Sequence, residues 1–467
     1  MVFNLEAEGR TPLVDQIVSA LKRQVSEVCP PGTRIASIRE FARTHKVSRF
    51  TVVEAYDRLV AMGYLEARRG SGFYTTPRPE ESSWSHADGD RARGFDVAWM
   101  IRHVLEEHGD TLMAGAPWLP NEWLDQAGIR SVVRQLGRNT GDHLLGYGHP
   151  AGYLPLRQQL QLKLSELGIA AQTEQIVLTY GTSQALDLVI RRLVGPGDAV
   201  LVDDPGYYNA FGYLRTLGAR LLGVPRNADG PDVDVLRRVA AEHRPKVYFT
   251  QTVMQNPTGT DMSPPVMYRV LQASEEFGLT IIEDDTYCDL QTIPSPRLAT
   301  LDQLNRVVYL RSFSKTLSGS LRVGFLAAGK GLADDIINLK VLSCITTSQF
   351  IERVLYLILT GGHYRKYVEQ LRERVDQARA AMLRLMKTAG MQLFTEPVGG
   401  NFVWARFAHI EDAATLAETA LGEGVMLAPG AVFRPNLEPS PYMRFNVAYH
   451  GDPRLRRLLS RIAQSAH

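Results

Sequence analysis

Cysteine is scarce in this chain: Cys29, Cys288 and Cys344 are the only three in 467 residues. Odd in number and far apart, they support neither a disulfide framework nor a cysteine-based zinc site, and they point to a reducing compartment. Long apolar runs are also missing. No stretch reaches the roughly 18 residues of a membrane helix, and the opening MVFNLEAEGR lacks the basic-then-apolar order of a signal peptide. The chain therefore reads as cytoplasmic or nucleoid-associated, with no membrane partner. Formal net charge is only +2, so any footprint for a polyanion must be local. The histidines, His103, His143 and His149 among them, fall into no metal-ligand spacing, and no metal site is expected. What is present is an ordinary globular composition, 45% hydrophobic and 22% charged, on a chain long enough for about three domains.

Between Thr11 and Thr76 the periodicity is that of short helices. Thr11-Pro12 has the order of an N-cap followed by proline at the first helical position, and Leu13, Ile17, Ala20, Leu21 and Val25 then recur at helical spacing. In SIREFARTH, Ser37 and Glu40 stand three apart as a capping box, with Ile38, Phe41 and Ala42 on the buried side. Ser48 caps a further helix, RFTVVEAYDRLVAMG, with a stripe of Val52, Ala55, Tyr56 and Leu59 and with Gly63 as a left-handed terminator. Two short helices joined by a tight turn make a helix-turn-helix. After Gly63, YLEARRGSGFYTT alternates about Gly70-Ser71-Gly72, which predicts a β-hairpin wing carrying Arg68 and Arg69.

From Gly32 to Gly72 eight lysines and arginines stand against four acids, a local positive excess in a balanced chain. Arg49 and Thr51 would enter a major groove from the start of the second helix of the pair, while Arg39, Ser48 and the wing residues Arg69 and Gly70 approach phosphates. The alternative is a small helical domain with solvated arginines, or one used for protein contact. The segment GTRIASIREFARTHKVSRFTVVEAYDRLVAMGYLEARRGSGFYT resembles the winged helix of GntR-type bacterial regulators. It departs from them at Ile35-Ala36, where Leu-Pro is usual, and at Phe50, where a small polar residue is common.

Residues 1–76 are thus expected to form one domain. From Pro77 the composition changes: PRPEESSWSHADGDRARG has few aliphatic residues, much charge and no period, and residues 77–108 read as a linker. Residues 109–467 are expected to form an α/β body whose smaller part runs from about 350 to 467. There the apolar runs QIVLTYG, AVLVDDPGY, PKVYFTQ, LTIIEDD, RVVYLRS and VGFLAAG alternate with helical segments, the pattern of a parallel sheet covered by helices.

One lysine of that body is out of the ordinary. Lys315, in VVYLRSFSKTLSGSLRVGF, ends a strand that reads as buried and is surrounded by Ser312, Ser314 and Thr316, a placement suited to chemistry more than to solubility. An amine held there can form a Schiff base with an aldehyde if it stays partly deprotonated. Pyridoxal phosphate, the aldehyde most proteins use, further demands an acid on its ring nitrogen, donors on its ring hydroxyl and a phosphate cup. Each has a candidate at a strand end, where α/β sheets place their ligands.

LTIIEDDTYCDL offers Asp284 or Asp285 as the acid, and Asp284 is favoured because Tyr287 then falls three residues on, within reach of the ring oxygen. Asn256 in QNPTGT is a second donor. Gly181, Thr182 and Ser183 turn from strand to helix and form the cup, which Ser312 and Arg322 complete. Tyr207 in DDPGYYNAF is placed to stack on the ring. Arg444, a cation in the apolar run PYMRFNVAYH, is expensive there unless it meets a carboxylate. Singly, each has a plain structural explanation as a cap, a turn, a strand-helix joint, a surface lysine or half of an ion pair. Their joint order carries the weight.

That order resembles the fold-type I aminotransferases, from about Thr111 to the end of the chain. LLGYGHPAGYLPLR is similar to the family segment whose tyrosine, here Tyr147, reaches the phosphate of the neighbouring subunit; EPVGGNFVW is similar to its small-domain motif, with Asn401 where an apolar residue is usual. The resemblance implies a homodimer sharing its sites across the interface, with a domain-swapped arrangement open. A GntR-like winged helix fused to an aminotransferase-like body resembles the MocR-type regulators. That likeness implies a protein that binds promoter DNA and senses an amino-compound effector, or the cofactor itself, through Lys315, with at most vestigial transaminase activity. The alternative is a working aminotransferase carrying an accessory DNA-binding domain, toward which the Asp-x-x-Tyr spacing of DDTY leans.

Overall fold

The computed structural model describes residues 11–27, 29–76, 110–138 and 145–464, together with the single positions 102 and 105. Contacts divide the chain into two units, Met1–Ala92 and Arg93–His467. The linker expected over 77–108 lies almost wholly outside the described residues, as do His103 and His143.

The first unit consists of helices α1 (Leu13–Glu27), α2 (Ile38–His45) and α3 (Arg49–Ala61) and strands β1 (Arg34–Ile35), β2 (Leu65–Arg68) and β3 (Gly72–Thr75). Ile17, Leu21, Phe41, Val52, Ala55, Tyr56 and Leu59 meet in one core. Serine caps fix where the two central helices begin: Ser37 Oγ accepts from the Glu40 N–H at 3.3 Å and Ser48 Oγ from the Thr51 N–H at 3.0 Å, satisfying donors that a helix start leaves without partners. Between the helices Lys46 takes the left-handed conformation, φ 54°, which stops α2 and turns the chain. The Tyr56 hydroxyl donates to the Ala36 carbonyl at 2.8 Å, tying α3 to the chain ahead of α2. The three strands form an antiparallel sheet in the order β1-β3-β2, turning at Gly70 and Gly72, both at positive φ. The helix pair and the wing form where the periodicity put them.

In the second unit an eight-stranded sheet runs in the order β4-β11-β10-β9-β8-β5-β6-β7. Its strands are β4 (Ile176–Thr179), β5 (Ala199–Asp204), β6 (Arg220–Asn227), β7 (Gly230–Pro231), β8 (Val247–Thr250), β9 (Thr280–Asp284), β10 (Val307–Ser312) and β11 (Gly324–Ala327). Alternate residues feed two apolar layers: Ile281, Tyr309 and Phe325 on one side, Ile282, Val308 and Leu326 on the other. The expected parallel sheet needs correcting at two strands, the short edge strand β7, antiparallel to β6, and β11. β5, β6, β8, β9 and β10 are parallel, but β11 runs antiparallel to both β10 and β4. The connection 313–323 is too short for a helical crossover; it carries Lys315 instead. β6 escaped the sequence reading because Gly223 and Pro225 interrupt its apolar residues.

A second, antiparallel sheet of β12 (Gln392–Leu393), β13 (Phe402–Arg406), β14 (Ala428–Pro429) and β15 (Tyr442–Asn446) has the order β12-β13-β15-β14. The segment 112–116 runs beside it: Gly115 N–H donates to the Met426 carbonyl and Asn446 N–H to the Ala114 carbonyl, each at 2.8 Å. Among the described residues no helix is long and apolar enough to cross a membrane.

Candidate functional site

The segments that follow β4, β5, β8, β9 and β10, with one strand of the smaller sheet, build the site in the second unit. β10 delivers Lys315 through its short connection. The side chain is half-buried, its Nζ lies 5.9 Å from the centre of the Trp118 ring, and no hydrogen-bond partner for it occurs among the described residues. Burial, then the Arg444 charge and more weakly Arg322, pull the amine down to about 8 from an ordinary 10.5, against the opposing pull of Asp284.

β9 ends in two adjacent acids with different employment. Asp285 is bound by Arg297, whose Nε lies 2.9 Å from Oδ2, and by the Tyr309 hydroxyl at 2.6 Å; both ion-pair partners are buried. Among the described residues Asp284 has no basic partner within ion-pair distance. It accepts from Gln251 Nε2 at 2.9 Å and from the N–H and hydroxyl of Thr286. Burial pushes its carboxyl up to about 6, repulsion from Asp285 adds to this, and the Thr286 and Gln251 hydrogen bonds hold it back. Tyr287 is buried, edge-on to Phe402 at 5.2 Å; burial raises its hydroxyl pKa well above 10 and the Arg444 charge opposes the rise.

Arg444 sits in β15 between β13 and β14, paired in register with Trp404 and Ala428, and is 0% exposed. Its guanidinium donates to Asn256 Oδ1 at 2.7 Å and to the Gly115 carbonyl at 2.6 Å, and it stands 4.6 Å from the Phe402 ring and 5.0 Å from Phe433. No carboxylate pairs with it among the described residues. Two donors of this pair are buried and idle: Arg444 Nε and Asn256 Nδ2. Idle buried donors cost free energy that a ligand with acceptor oxygens would recover.

At the end of β4, Gly181 has φ +75° and opens the helix Gly181–Leu193, followed by Thr182 and Ser183. A Cβ at Gly181 would come within 2.9 Å of the Arg322 guanidinium, the movable end of a flexible side chain, so it is the left-handed conformation that calls for glycine here. Arg322 donates to the Tyr180 carbonyl at 2.9 Å and has no acid partner among the described residues. The first amides of such a helix have no acceptor within it and favour an anion. Thr182 also receives the Thr286 hydroxyl at 3.3 Å, joining this turn to Asp284. Ser312 is committed inside the chain: its hydroxyl bonds to Ser314 Oγ at 2.8 Å and accepts from the Ser314 N–H at 3.1 Å.

Tyr207 lies nearly parallel to Phe249 at 6.3 Å and accepts from Asn209 Nδ2 at 2.9 Å; the Asp284 charge helps burial to raise its pKa. Tyr147 is 82% exposed. The structure thus groups Lys315, Asp284, Asn256, Arg444, Tyr287, Tyr207, Arg322 and the Gly181 turn. Gln251, Thr286 and Trp118 were missed by the sequence reading. No motif marks Trp118; Thr286, by contrast, lies inside the quoted DDTY and was legible as a donor to Asp284.

In the first unit, Arg39, Ser48, Arg49, Arg69 and Gly70 are exposed. Arg39, Arg43 and Arg49 line one groove. Thr51 is less free than expected: its hydroxyl is bonded to Ser48 Oγ at 2.7 Å and its N–H is capped by the same atom.

Comparison with known proteins fits both halves. Residues 120–462 match the family described as aminotransferase class I and II, and residues 13–75 match the gntR family of bacterial regulatory proteins. An uncharacterised HTH-type transcriptional regulator of Bacillus subtilis, YdfD, is 28% identical, covering 94% of this chain and 93% of its own. A 2-aminoadipate transaminase of Thermus thermophilus is 32% identical over 76% of this chain and 90% of its own. The probable rhizopine catabolism regulatory protein MocR of Rhizobium meliloti is 26% identical over 91% and 88%. Among solved structures, LysN, an α-aminoadipate aminotransferase of Thermus thermophilus complexed with N-(5'-phosphopyridoxyl)-L-leucine, superposes with a TM-score of 0.71 at 28% identity, covering 79% of this chain and 95% of its own.

Proposed function

The chain belongs to the aminotransferase class I and II family and, through its amino-terminal gntR domain, to the MocR-type regulators, and from that premise we propose that it binds promoter DNA under the control of an amino compound sensed at Lys315. It is a transcriptional regulator with an aminotransferase-like body, and its cofactor is pyridoxal 5'-phosphate.

The residues present fit that group. Asn256 Nδ2 is a buried donor without an acceptor among the described residues, the Arg322 guanidinium stands against the Gly181 turn, where a Cβ would come within 2.9 Å of it, and Lys315 keeps a depressed pKa with no competing hydrogen bond among the described residues. When bound, the cofactor supplies an aldehyde carbon for a primary amine and a pyridine ring that withdraws electrons. Lys315 would hold it covalently: with its pKa at about 8, about one amine in ten is neutral and nucleophilic at pH 7. Asp284 would hold the proton on the ring nitrogen, since Asp285 is occupied by Arg297 and Tyr309. Asn256 and Tyr287 would donate to the ring hydroxyl, Tyr207 would lie against the ring, and the amides of Gly181, Thr182 and Ser183 with Arg322 would take the phosphate. Ser312 would act by orienting Ser314, while Tyr147 would serve the partner subunit of a homodimer.

The observation that carries the reading is Arg444, a fully buried guanidinium without a carboxylate partner, in the same site as an amine-reactive lysine. An effector with an amino group and a carboxylate satisfies both. Such a ligand changes DNA affinity only if it binds one arrangement of the protein better than another, and the coupling is reciprocal. On the DNA side, Arg49 would face the major groove, with Arg39, Ser48, Arg69 and Gly70 against phosphates and Thr51 supporting the helix start.

A second reading, a working aminotransferase with an accessory DNA-binding unit, draws on the full set of site residues and on the likeness to the Thermus transaminase. One experiment separates the two. Amino acids and vitamin B6 forms are screened for their effect on the visible spectrum of the cofactor-loaded protein, on its affinity for the DNA flanking its gene, and on keto-acid production. A sensor gives a spectral change and an altered DNA affinity without sustained turnover. Sustained turnover with unchanged DNA affinity selects the enzyme, and no spectral response to any amine refutes both.

A further inference from the structure

We propose that Phe50 reads a thymine: its ring packs on the C5-methyl group of one thymine in the major groove of each DNA half-site. This rests on the DNA-binding reading above. α3 turns Val52, Ala55, Tyr56 and Leu59 into the core of its unit. Its outer face carries Phe50, 78% exposed, and Val53, 37% exposed, one turn apart. A phenylalanine held in water at the second position of a helix gives nothing to its own core and forgoes the free energy of burial.

The surroundings select the occupant. Ser48 and Arg49 precede Phe50 and are exposed, Lys46 stands exposed at the turn, and Arg39, Arg43 and Arg49 line the adjoining groove. An apolar protein face would suit the ring and not the cations; a phosphate backbone alone would suit the cations and not the ring. Duplex DNA meets both, because the thymine methyl is an apolar group on the major-groove edge amid flanking phosphates. The polar reader beside it is engaged elsewhere: the Thr51 hydroxyl is bonded to Ser48 Oγ at 2.7 Å. Phe50 is therefore the free side chain, next to Arg49, with which this helix start discriminates among bases.

The test begins with duplexes enriched from a random pool by the full-length protein. In the enriched sequence each thymine is replaced in turn by deoxyuridine, which pairs identically but lacks the methyl group, and binding is measured for the wild type, Phe50→Ala and Phe50→Leu. We expect one thymine per half-site at which the wild type loses about fourfold in affinity, the worth of burying one methyl group. Phe50→Ala should be indifferent at that position, and Phe50→Leu should keep part of the sensitivity. Wild-type binding that ignores every deoxyuridine, or a loss equally large in Phe50→Ala, overturns the assignment while leaving DNA binding intact. Enrichment of no duplex at all removes the DNA-binding reading and this inference with it.

Discussion

Lys315→Met should stabilise the cofactor-free protein, and by an amount that depends on pH. The ammonium of Lys315 is disfavoured in the folded state by burial and by Arg444, which bring its pKa to about 8 from 10.5. At about 1.4 kcal/mol per pH unit, the folded protein carries a penalty of about 3 kcal/mol wherever the group is charged in both states. The direction follows from proton counting. A folded pKa below the unfolded one means that the unfolded chain binds more protons between pH 8 and 10.5, so stability rises with pH through that window and the penalty is full below it. Methionine has nearly the same length and no charge. The gap between variant and wild type should be about 3 kcal/mol at pH 7, about 2 at pH 9 and under about 1 at pH 10. Urea unfolding of both full-length proteins, freed of cofactor, at the three pH values reads it directly. A gap that stays constant across the series would mean that packing rather than charge sets it, and the argument that this amine is primed by its surroundings would fail.

Asp284→Asn and Asp285→Asn should part company: the first retains the fold and loses cofactor affinity and visible colour, whereas the second strips a buried guanidinium of its counter-ion and costs about 3 kcal/mol in urea unfolding. Arg444→Leu should shift the spectral response to amino acids to about a hundredfold higher concentration, for the loss of charge-assisted bonds worth about 3 kcal/mol, while simple amines without a carboxylate respond as before. Arg49→Ala should weaken DNA binding about tenfold or more without changing the colour of the cofactor-loaded protein, which gel shift and absorbance check together.

Local signals were legible in the sequence because they act locally. Ser37 and Ser48 cap helices within three residues of themselves, Gly181 is demanded by its own backbone, and the strand ends that bear Asp284 and Lys315 are bounded by apolar runs. What escaped depends on distant partners. The spacing to Tyr287 already favours Asp284, but the groups that occupy Asp285 are Arg297 and Tyr309, and no pattern around DDTY announces either residue. Successive side chains of an extended chain point to opposite faces, so Asp284 and Asp285 meet different surroundings despite adjacency, one the lysine's field and the other a buried ion pair. Trp118 comes to Lys315 from a segment that runs along the smaller sheet, a proximity that only the tertiary fold creates. The direction of β11 was missed for a related reason, since apolar content marks a strand and says nothing about which way it runs.

Charge accounting around Lys315 leads to the same ligand class by another route. Asp285 is neutralised by Arg297, which leaves Asp284 as the acid facing Lys315, Arg322 and Arg444. A fully buried guanidinium without a counter-ion is costly, and the two oxygens and aromatic rings around Arg444 offset the cost only in part. On the proposed reading anions would recover the remainder: a phosphate beside Arg322 and the Gly181 turn, and a carboxylate beside Arg444. Binding free energy that relieves a penalty in the folded state also appears as folding stability. A saturating α-amino acid should therefore raise the unfolding midpoint of the loaded protein, the matching amine without a carboxylate should raise it less, and in Arg444→Leu the difference between the two should vanish. If the amine stabilises as much as the acid in the wild type, Arg444 is not the carboxylate's partner, and its buried charge must have another use.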